Sequence, residues 1–447
     1  MKSVNGPVLS VSVTTLGCKA NQYDSSAMEE ALSAEGLSTV AFPGPADAYV
    51  INTCTVTART DSQSRQLIRR AQRANPRAVV IVTGCYAQVF PGDVEGIKGV
   101  DYILGNPQKQ DIFNYIKKGR NPDADAKVVV GPEAQGALMG LRARGASGRT
   151  RTNLKIQDGC NKKCSYCIIP RARGLSRSLT LEEVEREIDL LVERGFKEVV
   201  FTGIHIGSYG HDLTPARDLK DVMMLVEKRD WPARFRISSL DPDEVDMEFI
   251  DILKTSKKIC NHLHLPLQSG DDSIIKKMQR PYSAKDFYEK AVKLAAEVKD
   301  ISIGTDVIAG FPGEREPEFE KTFSLLEETP LSYLHVFPFS PRTSTPAYGY
   351  EGRVDPKTVK ERCRRLRGLD TLKRRKYLNA FIGKEAEVLV EGSQDKKTGL
   401  LRGKSRNYIP VVVQGGQGLE NRILRVALKG LDGQKGMWGC LLDNTET

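Results

Sequence analysis

The sequence predicts an α/β protein in three parts: an N-terminal parallel α/β sheet, a central partial β/α barrel and a small C-terminal all-β barrel. Three observations carry this. Apolar runs alternate with amphipathic stretches in a βαβαβ order over the first part, and longer β/α units fill Arg149 to Tyr350. After a Lys/Arg-rich helix, the last stretch, about 65 residues, breaks into short alternating segments. At 447 residues the chain exceeds one ordinary core.

Taken in order, Val8 to Leu16 reads as a strand, Asn21 to Ala34 as a helix and Ala48 to Asn52 as a short buried strand. Ala58 to Ala74 reads as a basic helix and Ala78 to Thr83 as a further strand. This order implies a parallel sheet. Lys127 to Val130 has the composition of a strand, whereas Gly131 to Gly148 is rich in Gly, Ala and Arg without a clear period, placing a boundary near 145. The strand Leu154 to Ile156 opens the second part. The helix Leu181 to Arg194 follows, started by the capping box Thr180-x-x-Glu183, with Val184, Ile188, Leu191 and Val192 on its core face and Gly195 as its stop. Strands at Glu198 to Thr202, Arg234 to Ile237, His262 to Leu265, Ile301 to Ala309 and Tyr333 to Phe337 repeat the plan. They describe an incomplete β/α barrel with its active face at the strand C-termini. The helix Pro356 to Ala380 leads to strands at Lys384 to Glu391, Leu400 to Lys404, Tyr408 to Val413, Ile423 to Lys429 and Trp438 to Leu442.

Charge is unevenly placed. The formal net charge is +10, and from Lys357 onward 20 Lys and Arg face 10 Asp and Glu, so the rest of the chain balances. Such asymmetry points to a polyanionic partner at that end, nucleic acid above all. The helix carries Lys360, Arg362, Arg364, Arg365, Arg367, Lys373, Arg374, Arg375 and Lys376, and the adjoining barrel Lys396, Lys397, Arg402, Lys404 and Arg406 near Tyr408. A solvated helix face is the usual reading of such a run. Arginine beside an aromatic also suits phosphate contact and base stacking, and RNA is the expected partner. No stretch approaches the roughly 20 apolar residues of a membrane span and no signal-peptide pattern opens the chain, so a cytoplasmic protein without a membrane partner is expected.

Nine cysteines are an odd number, and six fall in patterns that suit metal rather than disulfides. Cys160, Cys164 and Cys167 are spaced Cys-x3-Cys-x2-Cys between Asp158 and Pro170. Three thiolates leave a tetrahedral zinc site one ligand short, but suit a four-iron cluster with one iron open to a substrate or cofactor. Gly159 lets the backbone approach closely, Lys162 and Lys163 bring positive charge, and Ile168, Ile169 and Pro170 add apolar bulk. A zinc knuckle with a distant fourth ligand competes, although no Cys or His lies nearby. Cys18, Cys54 and Cys85 each fall at the end of an expected strand, two of them after glycine. In a parallel sheet those ends converge on one edge, where widely spaced thiols can meet. Three unrelated buried cysteines are the plain alternative; the strand-end placement favours a second cluster site. Cys260, Cys363 and Cys440 read as buried apolar residues.

Other strand ends carry polar residues where stability alone would place apolar ones. Ser238 and Ser239 end one strand, His264 and Gln268 lie in His262 to Gly270, and Asp306 in Gly304 to Glu314. The serines also suit capping, and Gly310 and Gly313 suit turns. His205, His211 and His335 read as structural.

With Tyr166 before its third cysteine, the Cys-x3-Cys-x2-Cys run resembles the signature of the radical S-adenosylmethionine (SAM) enzymes. From about residue 9 to 442 the chain resembles a radical-SAM methylthiotransferase. The motifs are Leu16-Gly-Cys-Lys-Ala-Asn-Gln-Tyr-Asp-Ser25, Asn52-Thr-Cys-Thr-Val-Thr57, Thr83-Gly-Cys-Tyr-Ala87 and Leu265-Pro-Leu-Gln-Ser-Gly270. The resemblance implies an N-terminal methylthiotransferase domain over 9–120, a linker over 121–145, a radical-SAM domain over 146–375 and an RNA-binding TRAM barrel over 376–442. It implies that Cys160, Cys164 and Cys167 hold the 4Fe-4S cluster that cleaves SAM to a 5′-deoxyadenosyl radical. Cys18, Cys54 and Cys85 would hold an auxiliary 4Fe-4S cluster, making these six the catalytic and metal-binding residues. One SAM would donate a methyl group to sulfur at the auxiliary cluster, and a second would supply the radical that activates C2 of an adenine.

Thr202 and Gly203 lie where the family places a glycine-rich turn near the SAM amino group, a loose match without the usual acidic residue. With Ser238, His264, Gln268 and Asp306 they are the candidate SAM-binding residues. Asn-Gln-Tyr after the first cysteine, Thr-Val-Thr after the second and Ser64 to Ala71 are similar to the MtaB-type branch, which acts on N6-threonylcarbamoyladenosine beside the tRNA anticodon. The resemblance therefore implies a transferase with the tRNA anticodon stem-loop as partner, an electron donor such as flavodoxin or ferredoxin, and a monomeric state. Alternatives are isopentenyladenosine tRNA, an aspartate of a ribosomal protein or, in another class, a non-catalytic Fe–S RNA-binding protein. Animal relatives carry a C-terminal membrane anchor that has no counterpart after Leu441-Leu442, so a bacterial cytosolic enzyme is expected.

Overall fold

Six strands form the first sheet in the order Ser38–Thr39, Ser10–Thr15, Ala48–Thr53, Val79–Gly84, Tyr102–Leu104, Lys127–Val129. Every neighbouring pair is parallel, as the βαβ order demands. The structure, a computed structural model, describes residues 9–121, 125–132, 142–143, 150–415 and 418–446. Of the expected linker, residues 122–124, 133–141 and 144–145 therefore lie outside those described. Ala48–Thr53 and Val79–Gly84 are buried at every position because helices cover both sheet faces. One face packs Tyr49, Ile51, Val80 and Val82 on Ile68 and Ala71 of the helix Ala58–Ala74. The other packs Val50 and Ile81 on Met28 and Leu32 of the helix Lys19–Ala34.

The central strands Arg151–Lys155, Glu198–Thr202, Arg234–Ile237, His262–His264, Ser302–Ala309 and Tyr333–Pro338 form the expected open β/α barrel. They pair as two three-stranded parallel sheets, joined through the bridges Phe235↔Ile259 and Ser239↔His264. Outward residues, among them Leu154, Phe201, Phe235, Ile303 and Leu334, pack on the surrounding helices in the largest core of the molecule. The opposite face of these strands carries Asn153, Lys155, Arg236, His264, Asp306 and Tyr333. That polar face explains why Arg151–Lys155 begins before the expected Leu154: alternation with Arg151 and Asn153 leaves no apolar run to read.

The last five strands, Glu385–Gln394, Leu401–Ser405, Pro410–Gln414, Ile423–Asp432 and Gly436–Glu446, close into a barrel around Val388, Val390, Val411, Val426 and Leu428. The helix Pro356–Asn379 joins it to the centre, sending Cys363, Leu366 and Leu369 into the central core and Leu378 into the barrel core. Buried guanidinium groups seat the barrel. Arg234 Nη2 donates to the carbonyl of Lys404 at 2.7 Å and Arg236 Nη1 to that of Arg406 at 2.9 Å, while both pair with buried Glu198. Among the described residues no helix is long and apolar enough to cross a membrane.

Much of the basic run is engaged internally, which narrows the part of the helix left open to an RNA. Arg362 is buried against Glu314 and Glu316, Arg365 pairs with Glu316 and Glu320, Lys373 donates to the carbonyl of Thr329, and Arg374 pairs with Asp370. Arg406 reaches the carbonyl of Ile259 at 2.8 Å, and Tyr408 turns inward, its ring 4.5 Å from that of His262. Lys360, Arg367, Arg375 and Lys376 stay exposed without an ion pair among the described residues. Arg375→Ala with Lys376→Ala is therefore expected to weaken tRNA binding and lower the slope of log Kd against log salt by about 2, one for each phosphate no longer neutralised. An unchanged slope in a filter-binding titration would remove this helix from the RNA interface.

Candidate active site

The chain order reverses between Ser10–Thr15 and Ala48–Thr53, and ligands of open parallel sheets bind at such a switch point. Cys18 and Cys54 follow these two strands. Thr15 stands opposite Asn52, and Thr53 opposite Gly84, so the loops bearing Cys18, Cys54 and Cys85 leave the sheet side by side. Cys18 is the N-cap of Lys19–Ala34, a helix that starts two residues earlier than expected, and Cys85 opens the short helix Cys85–Val89. Gly17 has φ +102°, and a Cβ there would lie 2.7 Å from Cys54 Cβ and 2.8 Å from its sulfur. Only glycine lets the Cys18 loop cross that close. Burial, then Cys85, push the Cys54 thiol up to about 12. Cys54 and Cys85 are buried; Cys18 touches solvent within a crevice whose walls still raise its pKa, against the pull of Arg173.

The loop after Asp158 gathers the other triad. Cys160 N–H donates to the carbonyl of Gly174 and Cys167 N–H to that of Cys164, each at 3.0 Å, while Ser165 is tied to Met278 and Lys277. At Gly159, φ +77°, a Cβ would lie 1.9 Å from the carbonyl oxygen of Leu175, so the expected close backbone approach is present. Burial, then Cys164 and Cys160, push the Cys167 thiol up to about 12.

The positive charge expected from Lys162 and Lys163 is placed differently. Lys162 pairs with Asp241 and Glu244, and Lys163 points to solvent. Arg280 instead donates to Cys164 Sγ at 3.2 Å and is held by Asp241 and Tyr282. Burial lowers the pKa of His205, but hydrogen bonds to Cys160 and Glu244 outweigh it and raise it to about 9.

Donor spacing tests what each triad fits. Among the described residues, His264–Asp306–His335 and His205–Asp241–Glu244 are the groups whose three donor atoms all lie within 4.8 Å of one another, and neither contains a cysteine. Tetrahedral zinc with sulfur ligands needs them about 3.8 Å apart, given bonds of about 2.3 Å. The thiols of neither triad meet that spacing among the described residues, while the register of the three strands and the crossing at Gly17 keep the Cys18, Cys54 and Cys85 loops side by side.

A buried charge network lies between the triads. Asp24, on the helix that Cys18 caps, accepts from Lys109 at 2.7 Å, from Arg173 at 2.9 Å and from Lys155; Arg173 and Lys155 also hold Asp158 at 3.1 and 2.9 Å. All five side chains are at most 3% exposed, so water does not screen them. Arg173 further donates to Asn21, whose amide reaches the carbonyls of Leu16 and Thr53 on either side of the Cys18 and Cys54 loops. Three cations against two anions leave one positive charge between the triads. Burial would raise the Asp24 pKa, but Lys109, Lys155 and Arg173 hold it well below the usual range. Asp24→Asn strands these cations and is expected to cost about 3–5 kcal/mol, read as a lower urea midpoint at constant m value. An unchanged midpoint would show that this charge network contributes nothing to stability.

His264 Nε2 lies 2.8 Å from Asp306 Oδ1, and His335 Nδ1 3.2 Å from the same oxygen. Gln268, at φ +70°, donates its N–H to the carbonyl of Asp306 at 2.9 Å. Thr202, Gly203 and Ser238 sit at the ends of neighbouring strands, and no hydrogen bond joins them to the His264–Asp306 pair among the described residues. His205 and His335, expected to be structural, are hydrogen-bonded to Glu244 and Asp306 within the two polar clusters. A position just past a strand end was the available signal for His205. Arg173, Arg280 and Lys109 carry no such mark.

Fold and site define a radical-SAM enzyme. Residues 154–326 match the family described as Radical SAM superfamily, and residues 10–105 match the one described as Uncharacterized protein family UPF0004. A threonylcarbamoyladenosine tRNA methylthiotransferase MtaB of Bacillus subtilis is 39% identical over 420 residues, covering 94% of this chain and 93% of the relative. Its counterpart in Thermotoga maritima is 36% identical over 98% of both chains. A tRNA-2-methylthio-N(6)-dimethylallyladenosine synthase of Moorella thermoacetica is 32% identical, covering 93% and 95%. The solved radical SAM methyltransferase TsrM of Kitasatospora setae shares the fold at a TM-score of 0.55 and 16% identity, covering 76% of this chain and 75% of that one. The chain belongs to the MtaB-type radical-SAM methylthiotransferase family. It is a transferase whose cofactor class is SAM with iron–sulfur chemistry.

Proposed function

We propose that the protein converts N6-threonylcarbamoyladenosine beside the tRNA anticodon to its 2-methylthio derivative. The observation that carries this is the pair of cysteine triads fixed across one buried charge network. Cys160, Cys164 and Cys167 would hold one 4Fe-4S cluster, and Cys18, Cys54 and Cys85 a second. When bound, the first with SAM supplies the radical that activates an unreactive aromatic C–H, and the second presents the sulfur.

The chain's own residues do the rest. Lys155, Asp158 and Arg173 tie the Cys160 loop to the Cys18 helix, setting the distance that the reacting base must bridge. Arg280 and His205 bring donors to Cys164 and Cys160, where they would offset the negative charge of a thiolate-held cluster. Thr202, Gly203, Ser238, His264, Gln268 and Asp306 are assigned to SAM by their places at successive strand ends. The units over 9–120, 146–375 and 376–442, with a linker at 121–145, would provide sulfur, radical and RNA contact in turn. A flavodoxin or ferredoxin would deliver electrons to a monomer in the cytoplasm.

Nucleoside mass spectrometry of tRNA tests the substrate. Deleting the gene is expected to remove 2-methylthio-N6-threonylcarbamoyladenosine and re-expression to restore it. Persistence of that nucleoside with loss of the isopentenyl counterpart would transfer the protein to the other substrate.

A further inference from the structure

A cavity of about 390 Å³ lies where the helix Lys19–Ala34, the strand Arg151–Lys155 and the C-terminal barrel meet. Its charged lining is Lys19, Arg151, Arg236 and Glu391, three cations against one anion. Two of the cations are occupied: Arg151 pairs with Glu391 at 2.6 Å, and Arg236 donates to Glu198 and to barrel carbonyls. Lys19 has no ion pair or hydrogen bond among the described residues, so its ammonium is the uncommitted cation of the cavity lining. Tyr408 enters the same space from a strained backbone, φ +67°, with Lys404 Nζ 3.7 Å from its ring centre. Burial would raise the phenol, but Lys404, Lys19 and Arg151 outweigh it and bring it down to about 8. Cations thus outnumber anions around the one phenol in the cavity.

Resting on the substrate reading above, we infer that this cavity takes the carboxylate of the threonyl arm, with Lys19 as its counter-charge. The arm hangs from N6, on an edge of the same six-membered ring as C2, so the pocket that holds it must adjoin the sulfur-presenting site. Lys19 meets that requirement as the residue after Cys18, about 3.8 Å away between Cα atoms. Thr152, Asn153 and Ser393 supply neutral partners for the arm's hydroxyl and urea groups. An isopentenyl arm carries no charge and would leave Lys19 unpaired.

The test uses labelled anticodon stem-loops bearing the threonylcarbamoyl group either as the acid or as its neutral methylamide, bound to cluster-loaded protein of verified iron content at fixed salt. Wild type is expected to bind the acid about 10- to 100-fold more tightly by fluorescence anisotropy, the range of one desolvated charge pair. Lys19→Gln is expected to shrink that ratio to within about 3-fold while leaving the methylamide Kd unchanged, and Lys404→Gln to reduce it in the same direction. Equal binding of acid and amide by wild type that still methylthiolates the acid would overturn the pocket and leave the substrate standing. A Lys19→Gln loss of equal size for both RNAs would put a backbone phosphate in the cavity instead. Failure of wild type to methylthiolate the acid stem-loop would bring down the substrate reading, and the pocket with it.

Discussion

Cys160→Ala is expected to abolish reductive cleavage of SAM. Its thiol is one of the three offered by the loop after Asp158. The loop itself should survive, because its hold on the fold runs through backbone bonds from Cys160 to Gly174 and from Ser165 to Met278. The variant should therefore stay folded, keep the iron of the other site and yield no 5′-deoxyadenosine with SAM and a strong reductant. Cleavage at half the wild-type rate would show that Cys160 is no ligand.

Cys54→Ala is expected to separate the two halves of the chemistry. Cys54 is buried at the sheet switch point under Gly17, remote in sequence from the SAM-cleaving loop. Removing one buried sulfur costs on the order of 1 kcal/mol, too little to unfold a chain of this size. SAM cleavage should continue within about 3-fold of wild type, since those ligands are untouched, while methylthio product falls to background. A Cys54→Ala enzyme that still makes product would refute the sulfur site. Loss of both reactions with intact folding would mean that the triads are not functionally separable.

Much of this was legible in the chain because it is local. The helix Ala58–Ala74 has the expected bounds, and the capping box of Thr180 with Glu183 is present at the start of Leu181–Glu193. The strand-end positions of the cysteines followed from the β/α alternation alone. The two-residue strand Ser38–Thr39 and the three-residue Tyr102–Leu104 were invisible because so few residues establish no period. Which cations of the basic run are free was not legible for a different reason. A run of arginines reads as a solvated or RNA-facing surface until the partners are known, and Glu314, Glu316 and Glu320 arrive from 45 or more positions away. The same holds at the site, where Arg280 reaches Cys164 across 116 positions and Arg173 reaches Asp24 across 149. Ligand spacing is written locally, but the groups that tune and position the ligands are assembled by tertiary contacts.

The central claim is that two separate three-thiolate sites coexist in one chain. Iron and sulfide analysis with Mössbauer spectroscopy on anaerobically reconstituted protein addresses it directly. Wild type is predicted to hold about eight irons, and the triple variants Cys18/Cys54/Cys85→Ala and Cys160/Cys164/Cys167→Ala about four each, all as 4Fe-4S clusters. About four irons in wild type, or complete iron loss in either folded triple variant, would contradict the two-site account.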